Sequence, residues 1–183
     1  MSEHRLPLLG GVFLLGALAG SLCCIRMESL KALLSHRVGA ELAFWQVLWP
    51  DLLLLLIMMV SGFMRIGCIT VLLTMAVKGF FLSSISTLHV LQMGNNGYAA
   101  ALALDLFPGF LTLAALLLLG RQAMGWSMLR IQTAPGRGKR LLPDGAYLIT
   151  TAICLVIILI AAAASQKLTP FLWVVLQGFL HGT

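Results

Sequence analysis

Two residues in this chain have the chemistry and the position to do something unusual. Lys78 stands in AVKGFF, with IGCITVLLTMAV before it and GFFLSSISTLHV after it. Asp105 stands in LALDLFPG, inside another apolar run. A lysine so placed lies about 18 Å past Ile66 at helical rise, near the middle of a bilayer. A charge there costs at least about 2.5–3.5 kcal/mol, so it must face protein or water and find a counter-charge. Counted from the QMGNNG turn, Lys78 is about 20 Å deep and Asp105 about 12 Å, within reach of a lysine side chain between tilted helices. Asp51, near the outer end of its run, fits this depth less well. Two readings follow. The pair is a site in a transport or proton path, or it is a buried contact that fixes how two helices pack.

Around Lys78, residues Gly79, Ser83, Ser86 and Thr87 make a small, weakly polar stripe suited to close helix approach. Gly16 and Gly20 form a GxxxG with the same property. Pro108 and Gly109 interrupt the run that holds Asp105, where proline removes a backbone donor and predicts a kink. Broken helices beside a charge occur at transporter sites as well as at packing kinks.

Other chemistry finds no residues to carry it. His4, His36, His89 and His181 are scattered, and no HExxH is present. Cys23, Cys24, Cys68 and Cys154 show no metal-ligand spacing and read as small buried hydrophobes. PGRGKR lacks the opening glycine and the final Ser or Thr of a phosphate-binding loop. The expectation is a chain with no catalytic residue, no metal and no cofactor.

The elements that must position Lys78 are membrane helices. Of 183 residues, 60% are hydrophobic and 10% charged, and the mean hydropathy is +1.01. Soluble domains hold about 25% charged residues. The excess runs the whole length, which predicts one integral membrane domain over residues 1–183, an all-α polytopic bundle. Five spans are expected: Pro7–Ile25, Val47–Met64, Ile66–Leu91, Tyr98–Leu119 and Ala146–Ala164. No period-2 alternation suggests a barrel. The apolar start resembles a signal peptide, but Ser21 rather than cysteine follows Leu18-Ala19-Gly20, and a retained first helix is expected. In RMESLKALLSHRVGAELAFWQ, residues Leu30, Leu33, Leu34, Val38 and Leu42 recur at helical spacing and predict an amphipathic helix lying on the membrane. The tail after Pro170 is too short to span and is expected at the interface or on the bundle.

The net charge is +6, and its largest cluster is RIQTAPGRGKR, with Arg130, Arg137, Lys139 and Arg140. It marks a cytoplasmic loop and gives no nucleic-acid surface. With the N-terminus inside, seven Lys and Arg face the cytoplasm and four face outward, which favours that orientation and an external C-terminus.

In their order and spacing, Lys78-Gly79, Met93-Gly94, Gly97, Pro108, Gly120, Ala123 and Ser127 resemble the stage II sporulation protein M family. FLLGALAGSL and the SGFMRIG turn resemble it too, so the similarity covers roughly residues 9–130. Asp105, Gly109 and Phe110 depart from that pattern. The resemblance implies a membrane scaffold without chemistry of its own. It would hold two peptidoglycan-degrading enzymes, the stage II sporulation proteins D and P, at the septal membrane during engulfment. The segment 26–46 and the tail after Pro170 would then be the contact surfaces. The competing expectation is a permease or transporter subunit. It would use Lys78, Asp105 and the Pro108 kink as a path, and the basic loop would dock a cytoplasmic ATPase.

Overall fold

The computed structural model describes residues 5–35, 44–94, 97–98, 101, 107–132 and 144–181. Its elements are α1 (Arg5–Arg26), α2 (Glu28–Ser35), α3 (Phe44–Ser61), α4 (Gly67–Met93), α5 (Phe107–Gln132) and α6 (Gly145–His181). Five of the six are long and apolar enough to cross a membrane. Helices satisfy their own backbone, which lipid requires. The protein is an all-α, multi-pass membrane helix bundle.

Side-chain pairs fix the directions. Ser83 Oγ donates to the Ala17 carbonyl at 2.5 Å and Ser84 Oγ to the Gly20 carbonyl at 3.0 Å. The nearly constant offset in residue number makes α1 and α4 parallel. Gln122 Nε2 donates to Thr150 Oγ1 at 2.9 Å and Cys154 Sγ to the Ala115 carbonyl at 3.2 Å, a falling and rising order that makes α5 and α6 antiparallel. α3 and α4 form an antiparallel hairpin closed by the turn at 62–66. There Gly62 lies under the Tyr147 ring and hydroxyl, and Gly67 against the Ser61 carbonyl, while Arg65 is exposed.

α5 is the central helix. Half of its span is buried, against 22–33% of the other four. Its small residues Ala115, Gly120, Ala123 and Ser127 let neighbours approach from several sides. The main core joins Leu9 of α1, Met58 of α3, Val71 and Met75 of α4, Leu116 and Leu119 of α5, and Tyr147 and Ile158 of α6. Leu14, Leu15, Leu18 and Leu22 stay exposed along α1, the face left to lipid.

Several expected boundaries move. The fourth span is expected at 98–119; the described helix α5 covers Phe107–Gln132 and so continues past Leu119. Pro108 is the second residue described in α5; the residues before it that a kink would bend, 102–106, lie outside the described residues. α3 starts at Phe44, three residues before the expected Val47. α6 does not stop near Ala164; it continues as helix through Pro170 to His181. One proline removes one backbone bond, and the apolar residues beyond it carry the helix on. Of the expected surface helix, residues 28–35 are described. Leu34 packs against Cys24 and Leu88, with Leu30 and Ile85 beside them, so α2 folds onto the ends of α1 and α4.

The α1–α4 contact rests on glycine. A Cβ at Gly16 or Gly20 would strike the backbone of Ala76 or Phe80, and one at Gly79 would strike that of Phe13. Gly79→Ala is expected to push the helices apart and cost about 1–3 kcal/mol, read as a lower midpoint of unfolding in detergent. Gly11→Ala, where a Cβ meets open space, is expected to be neutral or mildly stabilising.

Candidate functional site

Lys78 lies on α4 and turns toward α3. Its Nζ forms an ion pair with Asp51 Oδ1, and the two side chains are 11% and 17% exposed. The acidic partner that the structure describes is Asp51; Asp105, the expected partner, lies outside the described residues. The reason is geometric. Asp51 is ten residues before Ser61 and Lys78 eleven after Gly67. Counted from their shared hairpin turn, both stand about 15–17 Å along the helix. Depth counted from the far turn, and a start for α3 placed three residues late, made Asp51 look too shallow.

Pro50 precedes Asp51 inside α3. It has no N–H to return to the Gln46 carbonyl, so the backbone ladder is interrupted within one turn of the pair. The proline beside the intramembrane charge is therefore Pro50. The stretch WPD showed it, but it stood near the expected helix end, where a proline is unremarked.

The small polar stripe after Lys78 belongs to a different face. Successive residues on a helix point about 100° apart. Gly79 and Ser83 accordingly face α1, where Gly79 meets Phe13 and Ala17 and Ser83 meets Ala17 and Gly20. Ser86 Oγ returns to its own helix at the Leu82 carbonyl, 3.0 Å away. Gly109 is buried against the Leu82 side chain, and its carbonyl accepts from Thr112 Oγ1 at 3.0 Å. Ser83 thus closes a helix contact, while Ser86 and Thr112 bond within their own helices.

A second polar group, which the residue pattern did not single out as a site, ties the hairpin turn to α5 and α6. Ser127 Oγ donates to the Arg65 carbonyl and accepts from the Cys68 amide, both at 3.1 Å. It supplies from α5 the acceptor that the first turn of α4 lacks. Tyr147 hydroxyl donates to the Met59 carbonyl at 2.8 Å, at the last turn of α3. Arg130 Nη1 donates to the Phe63 carbonyl at 2.7 Å, and its guanidinium lies 5.8 Å from the Phe63 ring centroid. Arg137, Lys139 and Arg140 lie outside the described residues. The signal for Ser127 and Tyr147 was a hydroxyl at a helix end in an otherwise apolar setting.

Among the described residues, no three His, Cys, Asp or Glu gather to hold a metal. The four cysteines are free thiols, with Cys24 and Cys154 buried.

Compared with known protein families, curated proteins and solved structures, the chain matches none.

The Lys78–Asp51 pair can be tested as a closed unit. Lys78→Met or Asp51→Leu alone is expected to destabilise the bundle by about 3–5 kcal/mol, because each leaves a buried charge unpaired. The double variant is expected to recover most of that loss. Equilibrium unfolding in mixed micelles measures both, and additive losses would mean that the two groups do not depend on each other.

Proposed function

We propose that the protein is a non-enzymatic membrane scaffold, one integral unit with a cytoplasmic N-terminus and an external C-terminus. The observation that carries this reading is that Lys78 is answered inside the bundle by Asp51, while the nearby Ser83 and Ser84 hydroxyls on α4 bond to α1. A charge so neutralised fixes register and needs no substrate. The resemblance in glycine, lysine and proline spacing supplies the cargo: the peptidoglycan-degrading stage II sporulation proteins D and P, held at the septal membrane during engulfment. The helix α6 running on to His181 and the segment around α2 share the end of the bundle that this orientation turns outward. They are the surfaces offered to such partners.

A mild-detergent pulldown of the tagged protein from sporulating cells tests this, with growing cells as the control. Wall hydrolases enriched in the sporulating sample alone are the expected result. A nucleotide-hydrolysing subunit recovered from both conditions, without hydrolases, would sink the scaffold.

One observation favours the transporter reading: the interrupted backbone at Pro50 beside the ion pair. Solvent access separates the two. In the scaffold, a cysteine replacing Asp51 in a Lys78→Met background is expected to resist a membrane-impermeant thiol reagent; rapid labelling from the aqueous side would favour a path.

A further inference from the structure

The end of the bundle that holds the α3–α4 turn carries Arg5, Arg65, Arg121 and Arg130. Arg130 is engaged by Phe63. Arg5 is held differently. It is the first residue of α1, at the level where an apolar helix meets headgroups. Its Nε is buried with no hydrogen-bond partner. Its Nη1 rests over the bare Cα of Gly125 on α5, where a Cβ would come within 2.7 Å of it. The guanidinium is therefore seated where α1 meets α5, and among the described residues no carboxylate is paired with it.

A buried donor without an acceptor is costly until an acceptor arrives. At this depth the bilayer itself supplies one, since the phosphate of a lipid headgroup presents anionic oxygens that match a guanidinium fork. Basic clefts between membrane helices are suited to anionic headgroups. Arg65 in the turn and Arg121, four residues before Gly125, are exposed and add attraction without occupying the cleft. Leu6 and Leu8, exposed beside Arg5, give the acyl chains an apolar wall.

We propose that Arg5, seated on Gly125 in the cleft between α1 and α5, binds the phosphate of an anionic phospholipid headgroup. This inference does not rest on the scaffold reading. The test uses the full chain in an uncharged detergent, with phosphatidylglycerol, phosphatidylcholine or inorganic phosphate added. Binding is read by native mass spectrometry and by the rise in thermal midpoint. Phosphatidylglycerol is expected to bind and raise the midpoint, and phosphatidylcholine to do so far less. Arg5→Gln is expected to weaken phosphatidylglycerol binding about tenfold. Gly125→Ala is the sharper variant. Its new Cβ meets only the Arg5 side chain, so it displaces the guanidinium and leaves the net charge unchanged. It is expected to lose the same increment, and it decides the matter if Arg5→Gln does not fold. Unchanged binding in Gly125→Ala would overturn the site, because general attraction to positive charge would then suffice. Equal binding of phosphatidylcholine, or the full increment from inorganic phosphate alone, would overturn the lipid assignment.

Discussion

A lysine ammonium cannot be left alone in hydrocarbon, and much of this bundle's geometry follows from where its counter-charge sits. Asp51 and Lys78 lie at matching distances from the turn that joins α3 to α4. Sliding one helix by a single turn would move the two groups about 5 Å apart along the axis and strand both charges. The ion pair therefore sets the register of the hairpin, and apolar side chains alone would not. Leucine against leucine in lipid has many nearly equivalent offsets, because there is no water to drive one of them.

α4 then distributes that register. On one face it carries Lys78 toward α3; on another it carries Gly79, Ser83 and Ser84 toward α1. Its first turn is tied to α5 through Ser127, and its far end holds α2 through Leu88. It leaves the bilayer at Gly94, whose φ of +60° is a conformation that favours glycine. α5 completes the centre from the other side, with α6 fastened to α3 by the Tyr147 hydroxyl.

The number and kind of the helices were legible from apolar run length, since a bilayer sets that length. The need of Lys78 for a partner was legible from the cost of its charge. Which carboxylate answers it was not. Depth counted along a sequence depends on the end chosen, and the helix start at Phe44 moved Asp51 inward by three residues. The fourth span shows a similar limit. In LTLAALLLLGRQAMGWSMLRIQ the helix runs on past Leu119 to Gln132, so the fall in hydropathy after Gly120 did not mark its end. GxxxG at Gly16 was readable as a packing face, whereas its partner on α4 came from topology. The role of Ser127 as an acceptor for another helix's first turn is a matter of three-dimensional contact.

The parallel pairing of α1 with α4 has a consequence for how the chain is made. Residues 76–84, which cover Gly16 and Gly20, are translated about sixty positions later. At roughly 5–20 residues per second that interval is on the order of 3–12 s. For that time the first helix waits in the bilayer with its notched face against lipid, and α3 is made before its proper neighbour exists. α4 must emerge before α1 has that surface to dock on. The order of synthesis and the order of packing therefore differ: α1 precedes α3 in the chain, yet the surface it packs against arrives only after α3.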